Sequence, residues 1–88
     1  MPYIKAEKRK AIDDVIDQLS LASEGEVNYA ITTLVRNWVK QQSLVAGKFS
    51  YELGNKAMGI LASVKAEFYR RVMVPYEEAK RTENGDVY

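Results

Sequence analysis

The chain has 88 residues, a net charge of +1 from thirteen Lys and Arg against twelve Asp and Glu, and neither Cys nor His. Those absences remove the thiolate nucleophile, the imidazole base and every zinc site built from Cys or His. The charges balance even locally, with four of each sign over residues 1–22, which counts against the clustered basic footprint of a nucleic-acid binder.

A chain this short forms one domain, residues 1–88, near the small end of what folds alone, so oligomerisation is a natural way to add buried area. Apolar runs are only a few residues long and charges recur throughout, so neither a membrane span nor a signal peptide is expected, and a cytoplasmic location follows.

In chain order, Ile12, Val15, Ile16, Leu19 and Ala22 recur at helical spacing while Asp13, Asp14 and Asp17 point away. This predicts a first amphipathic helix over about residues 7–21. Ser23 followed three residues later by Glu26 is a capping box. It opens a second helix that runs to about Gln42, with Val27, Ile31, Leu34, Val35 and Trp38 as its apolar stripe. The stretch "SLVAGKFS" then reads as a connection because of Gly47, with Leu44, Val45 and Phe49 tucked beneath it and Ser50 as the next cap.

The third helix starts near Tyr51 and is the longest. Leu53, Ala57, Ile60, Leu61, Val64, Phe68 and Val72 form its main stripe, and Met58, Ala62, Tyr69, Met73 and Tyr76 form a second set about 100° round the wheel. Two apolar faces on one helix suggest two partners. Gly59, Ala62, Ser63 and Ala66 are small enough to let another helix approach closely, although helix propensity explains the alanines equally well. Pro75 should kink or break this helix, since proline lacks a backbone donor and restricts the residue before it. Asn84 and Gly85 end it.

The segment "EFYRRVMVPYEE" holds the residues best suited to bind something. Arg71 lies at the margin of the main stripe, where a guanidinium needs a partner. Glu67 is the local candidate, with Glu26 or Glu52 as alternatives across helices, and this structural pairing is preferred. The competing use makes Arg70 and Arg71 forked donors to phosphate, with Tyr69 and Tyr76 supplying flat faces for a base. Tyrosines of this kind suit a half-buried interface equally well. Asn28, at the margin of the second helix's stripe, is expected to satisfy a backbone group or specify packing.

At the amino terminus, removal of Met1 would leave Pro2 as a terminal secondary amine, and "MPYI" is superficially similar to tautomerases that use such a proline as base. Those enzymes begin with a β-strand, whereas "KAEKRK" leads directly into helix. No catalytic residue, metal ligand or cofactor is expected.

Taken together, "MPYI", "GEVNYAIT", "EFYRRVMVPYEE" and "ENGDVY" resemble a family of small proteins of unknown function found in phages and environmental sequences. The resemblance covers most of the chain, implies a shared fold and a phage accessory role, and brings no catalytic residues with it. The expectation is therefore an all-α domain of three helices, the third kinked or broken at Pro75, assembling as a homo-oligomer. Met58, Ala62, Tyr69, Met73 and Tyr76 supply the contact, with Val87 and Tyr88 docking on a neighbour. Its function is expected to be non-catalytic, acting through a protein partner such as a host protein. The alternative is a module that sequesters a nucleotide-like ligand between protomers, with nucleic acid third.

Overall fold

A computed structural model of the protein describes residues 2–88; removal of Met1 lies outside the described residues. The chain forms α1 (Ala6–Ile16), α2 (Glu24–Ala46), α3 (Tyr51–Phe68), a π-helical turn (Tyr69–Met73) and α4 (Val74–Asn84). The last three run on without a break, so the architecture is all-α with three helices, the third long and joined across the π turn.

Helix α1 ends at Ile16, short of the expected Leu21. Gln18 and Leu19 donate their amides to Val15 and Ile16 three residues back, tightening and closing the helix. The chain then leaves helical geometry for the extended backbone at Ser23 that the next cap demands. That cap is the predicted one: Glu26 N–H donates to Ser23 Oγ at 3.1 Å, and Ser23 N–H donates to Glu26 Oε1 at 3.1 Å.

Helix α2 runs four residues past Gln42, because the residue that stops it is Gly47, whose φ of 90° is left-handed and suits glycine. Leu44, Val45 and Phe49 are consequently not tucked under a loop. The first two sit on the outward end of α2, and all three are exposed. The inward line of α2 is Val35, Trp38, Val39 and Gln42, each half-buried, while Leu34 faces outward.

Ser50 caps α3, accepting from Leu53 N–H at 3.1 Å. Leu53 and Ala57, each 8% exposed, are the buried core among the described residues. They pack where α3 meets α2 beside the connection. The stripe beyond them continues uncovered through Ile60, Leu61, Val64, Phe68 and Val72.

Pro75 interrupts the long helix through its neighbours rather than by a break. It has no N–H to give Arg71, four residues back, and its ring would strike that carbonyl. The turn before it widens instead, and Val74 N–H reaches Tyr69 O, five residues back. Pro75 then falls in the first turn of α4, where a missing donor is harmless.

This fold is open. Its radius of gyration is 17.2 Å, where a compact domain of this length has about 12 Å. It exposes 7985 Å² of solvent-accessible surface, against about 5,200 Å² for a compact chain of its mass, an excess of about 2,700 Å². Helix α1 packs against no other helix among the described residues.

Candidate functional site

Tyr69, Arg70 and Arg71 all fall in the π turn. Arg70 is not free: its Nη2 donates to Glu67 Oε1 at 2.6 Å and to Tyr3 Oη at 3.1 Å. Tyr3 in turn donates its hydroxyl to the same Glu67 oxygen. The partner of Glu67 is therefore Arg70 rather than Arg71, because the amino-terminal segment approaches on Arg70's side and its phenol completes the cluster. Pro2 shares a small cleft with Ile60, Ser63 and Val64, so the segment before α1 lies along the third helix as a strap. Arg9 Nε donates to Ile4 O at 2.8 Å, fixing the strap to the start of α1.

Tyr3's hydrogen bond is the largest influence on Glu67 and holds its carboxyl below the ordinary value. Desolvation pushes the other way, and the hydrogen bond and charge of Arg70, with the charge of Arg71, add to the lowering. Glu67 is accordingly an ionised anchor and a poor proton donor near neutral pH. Arg71 makes no salt bridge among the described residues. Glu26 is committed to the α2 cap, and Glu52 lies 3.6 Å from Lys56.

Tyr76 is exposed, with Lys80 Nζ 5.8 Å from its ring centre. Met58, Ala62, Tyr69 and Met73 are exposed along the third helix, and Val87 and Tyr88 are exposed in the tail beyond Gly85. That tail is held by Arg81, which bridges Glu78 at 2.6 Å and Asp86 at 3.3 Å. Met58 and Tyr76 are separated by about 27 Å of helix rise, and the π turn between them rotates Tyr76 away from Met58's side, so the predicted interface residues do not share one face and are too far apart for one small ligand. Asn28 accepts from Thr32 Oγ1 at 3.4 Å on the exposed face of α2 rather than serving the backbone. Sequence reasoning missed Tyr3 as a site residue: nothing in the spacing of "MPYI" points to a carboxylate 64 residues on.

The described residues form an open, all-α arrangement: a helical hairpin extended by a long third helix, with exposed apolar side chains along α1 and the third helix and an amino-terminal strap lying against the latter. The chain belongs to the family described as Domain of unknown function (DUF6899), whose model matches residues 1–87. No curated protein and no solved structure matches the chain. No helix among the described residues is long and apolar enough to cross a membrane.

Proposed function

We propose that this protein is a non-catalytic, phage-type accessory protein that acts by binding, as a small helical homo-oligomer. The observation that carries the reading is the excess of about 2,700 Å² of surface over a compact chain, together with a core that among the described residues is confined to Leu53 and Ala57. Two buried residues cannot offset the conformational entropy of ordering a chain of 88 residues, so the uncovered stripes belong inside an assembly. The phage setting is supported by the resemblance of both chain ends and of "EFYRRVMVPYEE". A protein partner suits the long apolar stripe of the third helix better than a small molecule does.

A second reading, a module that sequesters a nucleotide-like ligand between protomers, is supported by Arg71. Its guanidinium fork makes no salt bridge among the described residues, and it lies two residues after Tyr69 within the π turn. Arg70, bound to Glu67 and Tyr3, contributes less to it. Native mass spectrometry of protein purified from its natural host tests both readings, since subunit count and retained mass are read together. An oligomer without added mass is the expected result. A monomer overturns the assembly, and an oligomer carrying nucleotide-sized mass moves the second reading ahead of the first.

A further inference from the structure

Helix α1 is held on two tethers, the strap at residues 2–5 and the linker at residues 17–23, yet packs on no helix of its own chain among the described residues. Its apolar stripe is correspondingly bare: Ile12 is 50% exposed, Val15 62% and Ile16 50%. An eleven-residue helix spans about 16 Å. On the third helix, the exposed stripe from Leu61 through Val64, where Pro2 of the strap flanks it, and Phe68 to Val72 has nearly the same length.

We infer that α1 is an exchanged arm, whose Ile12, Val15 and Ile16 pack on the Leu61 to Val72 stripe of a second copy while that copy's arm does the same in return. The inference rests on the homo-oligomer reading and specifies its contact. Two considerations point to a second copy as the occupant. The excess surface of two such chains together is of the size an obligate homodimer buries, about 2,000–5,000 Å² or more. Reciprocal arm-on-rod docking also closes on itself about a two-fold axis and leaves no open contact to propagate. Tyr3, bound to its own Glu67, marks where each arm leaves its own rod.

Because the chain has no cysteine, one engineered thiol per copy reports the contact cleanly. A chain carrying Val15→Cys is mixed with one carrying Phe68→Cys, unfolded and refolded together, and oxidised. The expected product is a mixed disulfide of twice the chain mass, in excess over either homodimeric disulfide. Predominance of the Val15→Cys homodimer would mean that the arms pair with each other and overturns the inference. So does a disulfide within one chain when both substitutions sit together, since the arm then covers its own rod. In parallel, Ile16→Asp should shift the native mass from dimer to monomer with helix content unchanged by circular dichroism, because α1 supports nothing in its own chain. If unmodified protein is oligomeric but the mixed disulfide fails to form, only arm exchange falls. If it is monomeric, the assembly falls as well and a foreign protein is the occupant of these stripes.

Discussion

Tyr3 and Arg70 bind the same carboxylate oxygen of Glu67, so the first residues of the chain are fastened to the middle of its last helix. Tyr3→Phe removes the only phenolic contact in that cluster and leaves the ring in place. The expected outcome is a several-fold faster amide exchange at Ile4 and Lys5 with little change in melting temperature, because the cluster is exposed and holds a strap rather than the core. A large fall in melting temperature would mean that the strap organises the whole fold.

The same cluster fixes a pH dependence. Glu67 has a lowered value when the strap is docked, so docking is favoured by the ionised carboxylate and its contribution is fully present above the ordinary glutamate value. It is lost as pH falls through the lowered value. The strap's protection factor, which is the exchange rate divided by its intrinsic value at each pH, should therefore be flat near neutrality and fall only in acid, and Glu67→Gln should abolish that acid transition.

Leu53 is one of two buried side chains among the described residues. Leu53→Ala should cost about 2–3 kcal/mol in urea unfolding, toward the lower end of core truncations because the site lies beside solvent and can partly collapse. A loss below about 1 kcal/mol would show that the α2 and α3 contact contributes little.

At Gly59, a side chain would meet nothing within 4 Å. Gly59→Ala is therefore expected to stabilise the protein by about 0.5–1 kcal/mol through helix propensity alone. Thermal unfolding would show it as a raised midpoint. A lowered midpoint would place another helix directly against this position.

Pro75→Ala restores the N–H whose absence widens the preceding turn. Closure of the π turn to α geometry should follow, seen as loss of the Val74 to Tyr69 hydrogen bond by NMR. Because proline is compatible with the first turn of α4, the lost restraint on the unfolded chain offsets the regained hydrogen bond, and unfolding stability should change by less than about 1 kcal/mol. Persistence of the π turn would assign it to the side chains of Tyr69 to Met73 instead.

Features governed by near neighbours were legible in the sequence. Ser23 and Glu26 form their capping box because both halves lie within one turn, and Gly85 ends the last helix, with its N–H on Arg81 O, because that position needs positive φ. Features set by distant parts of the chain were not. The spacing of Leu19 and Ala22 fits the α1 wheel, yet the chain must unwind there to reach the Ser23 cap. Leu44 and Val45 carry no local sign that α2 would continue to Gly47 and expose them. Glu67 has basic neighbours three and four residues on, and only the arrival of Tyr3 decides between Arg70 and Arg71.

A uniform helix, turning by about 100° per residue, sets Tyr76 on the side of Met58 and Tyr69. The π turn at Tyr69–Met73 accommodates one residue more than an α turn, so every side chain after it is rotated back by about that angle. Tyr76 thereby comes round to the line of Leu53 and Val64, and Met73 to the margin of Phe68. Pro75 thus acts as a phase adjuster: it splices two faces that a straight helix would hold apart into one continuous seam, along which a single partner could lie from the hairpin to the far tip of the rod.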